Sequence, residues 1–443
     1  MSKKKPVFNY QPKQSLPPTP PIKTAWDLKG LYYRNEKDPK VAKDMATAKK
    51  AYLDFAGKWR ARPFTRQISL LKQALTEYEA LGGLAEASGP IRYLHLRLSL
   101  NTADAKAEKK YAKQSEWLRK LTDQVLFFPL TLGKIPPAKQ KAYLKHPDLA
   151  HFRYYLTRVF GSAKYDLSEA EEKIIKLKSP QASDRWVEAV EKIISNRTIV
   201  WQGRNLPIPE AIDTIDLLGA TDKKALWSLI MKEMEQISEV SEHEFNAIVT
   251  DARSEDEIRG YKKPYTATAL SYEDSEKSIE NLVQAVSGKG FRLSRKFYNL
   301  KATYHNKEQI HYTQKYDSIG TKPKLPFKQA VEICRDVFYG LKTDYGKIFD
   351  TMLERGQIDV YPKAGKRGGA FATGQTGHPV QVLLNHLDNF QSLETLCHEM
   401  GHAIHTVLAS RQSPFYDSHS TICLLYTSPS PRDRTRSRMP SSA

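Results

Sequence analysis

Residues 388–410 read DNFQSLETLCHEMGHAIHTVLAS. Within them Leu393, Leu396, Cys397, Met400, Ala403, Ile404, Val407 and Leu408 recur at steps of three and four, which is the apolar stripe of an amphipathic helix. Such a helix carries His398 and His402 one turn apart on its remaining arc, facing a cleft, with Glu399 between them. Two imidazoles at that spacing can grip one zinc ion, and the intervening carboxylate then lies beside the metal as a general base. Asp388, followed three residues later by Gln391, is the candidate cap of the helix start. Gly401 inside the helix costs about 1 kcal/mol relative to alanine, which predicts that something packs closely against the backbone there.

The bare five-residue pattern is weak by itself, and the chain supplies a control. His243-Glu244-Phe245-Asn246-Ala247 begins the same way but lacks the second histidine, and it reads as a solvated helix face. At 398–402 the amphipathic setting adds the missing specificity. Two histidines still leave a catalytic zinc site incomplete, because such sites have three protein ligands and one open position. His405 lies about 10 Å along the helix from His398 at 1.5 Å per residue, too far for one ion to bind both, so it reads as a supporting or structural residue. The pattern with a glycine three residues past the second histidine and a third histidine three further on is excluded, since His405 and Leu408 occupy those places. A carboxylate from a later segment remains, yet no Glu follows Glu399, leaving Asp417, Asp433 and His419 as possible donors.

From Cys423 to Ala443 the chain reads CLLYTSPSPRDRTRSRMPSSA, with 12 of 21 residues Ser, Pro or Arg and no apolar periodicity. The string resembles the conceptual translation of a sequencing-library adapter, so the native sequence is expected to run to about Ile422, with a disordered basic tail as the alternative. On the first reading the missing ligand belongs to sequence beyond that point.

The chain has 443 residues, enough for two or three domains. Lys and Arg outnumber Asp and Glu by 69 to 50, a net +19, of which the 423–443 string supplies four Arg against one Asp. The excess is spread along the chain and accompanies no zinc knuckle or aromatic-basic nucleic-acid motif, so it reads as a lysine-rich solvated surface and not as a specific nucleic-acid site. Three cysteines, one of them Cys423, make no disulfide framework. The basic N-terminus lacks an apolar signal core, and no apolar run approaches the length of a membrane span. These features point to a cytoplasmic protein without a membrane partner.

Along the chain, residues 1–23 form a Pro- and Lys-rich tail expected to be disordered. A helical domain is expected over 24–200, with helices at Asp38–Ala61, Gln67–Leu81, 105–126 and Ser168–Ser195, and a second domain over 201–422. Trp201 to Pro209 read as turn residues. A helix opened by Pro326 carries one buried stripe from Phe327 to Met352, with Cys334 inside it, and ends at Gly356. Then come three β-leaning pieces, 358–361, 369–372 and 380–384, split by Gly- and Pro-rich turns. They predict a small sheet just before the metal helix. The segment Gly368-Gly369-Ala370-Phe371 is the candidate edge for pairing with an extended peptide, while Lys363, Lys366 and Arg367 read as solvated loop charges.

The segment LETLCHEMGHAIHTVLAS, preceded by IDVYPKAGKRGGAFA, resembles the oligoendopeptidase F and thimet oligopeptidase family of zinc metallopeptidases. The resemblance is close over about 200–422 and rests on length and helicity over 24–200. It implies a mainly α, two-lobed fold with a small β-sheet beside the zinc-binding helix. It also implies a channel that admits short, unstructured peptides. It carries onto His398 and His402 as zinc ligands and Glu399 as base, while Gly369, Ala370 and Phe371 remain the candidate substrate residues of the edge read above. The family's third ligand is a Glu about 25 residues past the second histidine, where this chain has Tyr426, and the family's downstream Tyr and His substrate residues have no counterpart here. The expected function is therefore a zinc-dependent endopeptidase that hydrolyses oligopeptides by Glu-assisted attack of zinc-activated water, the chain as written being inactive. An inactive peptide-binding protein of the same fold and a basic nucleic-acid binder are the alternatives.

Overall fold

Helices at Pro39–Trp59 (α1), Ala85–Leu100 (α2), Phe327–Leu341 (α3), Thr343–Glu354 (α4) and Phe390–Ala409 (α5) frame the part of the molecule that holds the histidine pair. The computed structural model describes residues 10–215, 218–315, 317, 324–363 and 365–416. The fold is mainly helical, with small sheets. It divides into two compact units, one drawn from Met1–Lys164 and Lys322–Ala443 and the other from Tyr165–Thr321. These units are drawn differently from the 24–200 and 201–422 segments expected from the sequence.

In the unit drawn from Tyr165–Thr321, the expected turn around 201–209 is part of a hairpin. Thr198–Trp201 pairs antiparallel with Arg204–Pro207. Gln202 and Gly203 turn the chain with φ of 49° and 78°, the conformation that suits a two-residue hairpin loop. Ile199 drives the pairing by burial with Ile208, Leu226 and Ile230. The control motif sits on the helix Ser238–Arg259. His243 is exposed there, but Glu244 is only 7% exposed, so the expected solvated face is corrected for that residue.

In the other unit, Asp38 caps α1 by accepting from Lys40 N, with Pro39 at the first helical position. Phe55 and Trp59 of α1 then close over Phe64, Leu71 and Phe128 in a first apolar core. A second core joins α3, α4, α5 and a three-stranded sheet. Where one helix was expected across 327–352, there are two, because Lys342 is extended at φ −164° and ψ 134°. The chain reverses there and α4 packs back onto α3. Gly346 permits it, since a Cβ at that position would collide with the ring of Tyr339.

Residues 10–23 are not the disordered tail that their composition suggested. Arg335 of α3 is 2% exposed and is bound by Asp350 at 2.7 Å, and it also donates to the carbonyl of Pro17 at 2.9 Å and the hydroxyl of Thr19 at 3.0 Å. Asp336 accepts from Lys13 N at 3.0 Å and from the Tyr10 hydroxyl. A proline-rich segment makes no internal hydrogen bonds, so its carbonyls are available to a buried guanidinium that needs several acceptors. The proline content that suggested disorder is what makes the segment a strap.

The sheet contains Ile358–Asp359 (β1), Phe371–Gln375 (β2) and His378–Leu383 (β3), in the order β1-β3-β2. β1 runs parallel to β3, and β2 pairs antiparallel with β3. The expected small sheet before the metal helix is therefore present, with its second strand shifted to start at Phe371. The loop after β1 corrects one expectation. Lys366 is no solvated charge: its side chain is 1% exposed and its Nζ lies 2.7 Å from Asp359 Oδ1, itself on a 1% exposed side chain. The same ammonium donates to the Tyr361 carbonyl at 2.7 Å, and Asp359 also accepts from Trp26 N at 3.2 Å. Removing one partner of a buried ion pair leaves the other charge uncompensated, at a cost of about 3–5 kcal/mol. Asp359→Ala is expected to lose that much stability in urea unfolding, and a loss below about 1 kcal/mol, the value of an exposed pair, would show that water reaches Lys366.

Candidate metal centre

The helix α5 starts one residue later than the sequence suggested. Asp388 sits at φ +50° and is not the cap. Asn389, in extended conformation, accepts from Ser392 N at 2.8 Å and begins the helix at Phe390. All eight residues of the expected stripe enter the second core. Leu396, Met400, Ala403 and Ile404 are buried, and Leu393, Cys397, Val407 and Leu408 pack partly buried against them. That contact fixes the roll of the helix about its axis, and with it the direction of every other side chain it carries.

The roll brings His398 and His402 together. Their Nε2 atoms are 3.2 Å apart and their rings meet edge to face, with centroids 4.7 Å apart. Two nitrogens bound at 2.0–2.1 Å to one tetrahedral zinc are about 3.3 Å apart, so the pair fits one ion through Nε2. Glu399, between them in sequence, is 2% exposed. Among the described residues, no group of three or more His, Cys, Asp or Glu side chains gathers as a metal site. Asp417, His419, Tyr426 and Asp433 lie outside the described residues. His405 is half-buried further along α5.

Gly401 overturns one expectation. A Cβ there would meet nothing within 4 Å among the described residues, and the position is exposed. The close approach is made instead by Gly374 of β2, where a Cβ would lie 2.5 Å from Cγ2 of Thr406. Thr406 is one turn past His402 and donates to the His402 carbonyl at 2.9 Å. The strand therefore runs against α5 beside the histidine pair, a placement that only a residue without a side chain allows at 374. The sequence reading missed this glycine. It fell just past the 369–372 piece, in a stretch that read as a turn, whereas a glycine inside a strand often marks close backbone approach.

Of the candidate peptide edge, Phe371 alone lies in β2; Gly369 and Ala370 lead into it. Gly369 has φ +74°, and its carbonyl accepts from the Asn385 side chain at 2.8 Å. β2 is the last strand in the sheet order. The hairpin of β2 and β3 is anchored from α2. Arg92 donates to the Tyr32 hydroxyl at 2.9 Å and to Thr373 at 3.2 Å. His378 stacks on Tyr32 and lies 3.0 Å from the Ser88 hydroxyl, and His95 lies against Phe371. After α5 the chain leaves the site. Phe415 stacks on Tyr155 at 3.9 Å, and Tyr416 donates to the His151 carbonyl at 3.2 Å.

Comparison with known proteins shows what the chain is similar to. The Peptidase family M3 model matches residues 221–422 and the Oligopeptidase F model matches residues 132–193. The first match ends at the last residue before the Ser-, Pro- and Arg-rich string. Together the two models cover more than half of the chain, which belongs to the M3 peptidase family and, within it, groups with the oligoendopeptidase F proteins. An oligoendopeptidase F homolog of Borreliella burgdorferi is 22% identical over 399 residues, covering 88% of this chain and 65% of that protein. Oligopeptidase PepF of Bacillus subtilis is 26% identical over 37% of this chain and 25% of its own length. The crystal structure of oligoendopeptidase-F from Enterococcus faecium superposes with a TM-score of 0.56 at 15% identity, over 90% of this chain and 69% of that one. PZ peptidase A, solved with an inhibitor, gives 0.57 at 14% identity over 84% and 63%. The chain thus spans no more than about two thirds of the curated relatives it matches.

His95 and His378 set an acid limit on the anchoring of the hairpin. Burial, with Arg92 nearby in both cases and Arg367 beside His95, pushes each from 6.5 to about 4. The unfolded chain takes up these protons near pH 6.5 and the folded chain only near pH 4. Between those values unfolding binds protons, so stability falls as pH falls, by about 1.4 kcal/mol per pH unit for each histidine. Above pH 6.5 the two contribute no pH dependence. Urea unfolding between pH 7 and 4 is expected to show this slope, and His378→Gln is expected to make it shallower.

Proposed function

We propose that this chain is the larger part of a zinc-dependent metalloendopeptidase acting on short, unstructured oligopeptides. The observation that carries the proposal is the convergence of His398 and His402 at 3.2 Å between Nε2 atoms, next to the buried carboxylate of Glu399. Membership of the M3 peptidase family supports it. His398 and His402 would hold the zinc through Nε2. The third ligand would be the Glu that the family resemblance places about 25 residues past His402, where this chain has Tyr426 in the Ser-, Pro- and Arg-rich string. When bound, zinc supplies a Lewis acid that lowers the pKa of water and polarises the scissile carbonyl.

The chain's own residues do the rest. Glu399 takes the proton from the attacking water on a carboxylate oxygen and returns it to the leaving amine. Its burial holds that carboxylate in place and keeps bulk water from competing for the proton. Gly369, Ala370 and Phe371 would lead the substrate backbone onto the outer strand β2, where main-chain pairing orients an extended peptide. Such pairing needs an unfolded partner, which favours short peptides over folded proteins. A cytoplasmic setting is consistent with the free thiols of Cys334 and Cys397, and among the described residues no helix is long and apolar enough to cross a membrane. The 443-residue chain as it stands is expected to hold zinc weakly and to be inactive, which leaves an inactive peptide-binding relative as the second reading.

The test uses the gene with its genuine sequence downstream of residue 422 restored. Glu399→Gln is expected to keep about one zinc per chain and lose 10²–10⁴-fold in peptide turnover, while His398→Ala loses both. Normal turnover by the Glu399→Gln protein removes the base assignment. A zinc-free wild type with no peptidase activity would favour the peptide-binding reading.

A further inference from the structure

Cys334 lies in α3 and is fully buried, while Cys397 lies in α5 and is half-buried. Their Sγ atoms are 3.3 Å apart, although the two residues are separated by 63 positions in sequence. Both sit in the apolar core that joins the two helices. A disulfide has an S–S length of 2.03–2.05 Å, so closing the pair needs an approach of about 1.2 Å and no rearrangement of the fold. Cys397 is also the residue immediately before His398. Apolar packing alone does not require two thiols to face each other across this interface, since any pair of small hydrophobic side chains would fill it.

We propose that Cys334 and Cys397 form a dithiol oxidation site at which a small hydroperoxide closes a bridge between α3 and α5. Cys397, the more accessible thiol, attacks the peroxide. Its Sγ gains an oxygen as the O–O bond breaks, giving a sulfenic acid and releasing water or an alcohol. Cys334 Sγ then attacks Cys397 Sγ, the S–O bond breaks, water leaves and the S–S bond forms. The two thiols lose two electrons and two protons, and one peroxide is reduced. Pulling Cys397 towards α3 turns the adjoining turn of α5 and moves His398 off its approach to His402. Oxidation therefore weakens metal binding, and thiol reductants restore it. Transient disulfides of this kind are the form that intracellular proteins tolerate. The metal consequence rests on the zinc reading above; the bridge itself does not.

The test treats the full chain, carrying Cys423→Ser, with hydrogen peroxide. The expected products are a mass loss of about two hydrogens and a cross-linked peptide joining Cys334 to Cys397, both reversed by dithiothreitol. Cys334→Ser and Cys397→Ser are each expected to abolish the cross-link. Zinc affinity, read by competition with a chromophoric chelator, is expected to fall about tenfold on oxidation, the scale of losing a residue that orients a ligand. Amide exchange over 390–409 is expected to change with the bridge and revert with it. Absence of the cross-link overturns the site, and a cross-link that leaves both zinc affinity and amide exchange unchanged overturns the coupling. If the reduced chain, which lacks the third ligand, takes up no zinc, that result leaves the metal reading where it stands, and mapping together with amide exchange decides the dithiol site.

Discussion

Leu396, Met400 and Ala403 are sealed between α5, α3 and the sheet, and that contact determines where the histidines point. Fully burying a side chain of this size contributes about 1.5–3 kcal/mol, so two of them outweigh the roughly 1 kcal/mol that Gly401 costs the helix. A helix can present only one face to a core. Once the stripe is buried, His398 and His402 leave the helix on the same side of it. With that roll their Nε2 atoms lie 3.2 Å apart.

The surroundings of α5 are held by polar groups more than by regular structure. Arg335 ties α3 to α4 through Asp350 and draws the proline-rich strap onto both. Asp359 and Lys366 do the same for the loop leaving β1, and Arg92 for the hairpin. Each case has one logic. A buried charge has to be paired and hydrogen-bonded, so a segment with little apolar surface of its own becomes ordered by supplying the missing acceptors. The glycines at 346 and 374 complement these anchors, letting a tyrosine ring and a threonine methyl approach backbone directly.

The helical fold, the stripe of α5 and the convergence of His398 and His402 were legible because each is a short-range pattern. Periodicity of three and four residues, proline at helix starts and β-leaning runs between turns need only neighbouring residues. What was not legible depends on partners distant in sequence. The break at Lys342 depends on Gly346 meeting Tyr339, and the strap depends on Arg335 meeting residues more than 300 positions away. Lys366 looked like any loop lysine because its carboxylate lies on a strand that folds beneath it. Gly401 was misread because a glycine in a helix signals either close contact or mere tolerance, and the neighbours that decide between them are not local.

The sequence by itself determined the helix that carries HEMGH, the side of it that seeks a core, and hence the family to which the chain belongs. Spacing along a helix is a local property fixed by 3.6 residues per turn. Only the tertiary structure decided which strand lies against that helix, which charges are buried, and that Cys334 comes to rest 3.3 Å from Cys397. Those pairings join residues remote in sequence, and chain connectivity alone does not specify which remote surfaces complement each other in shape and charge.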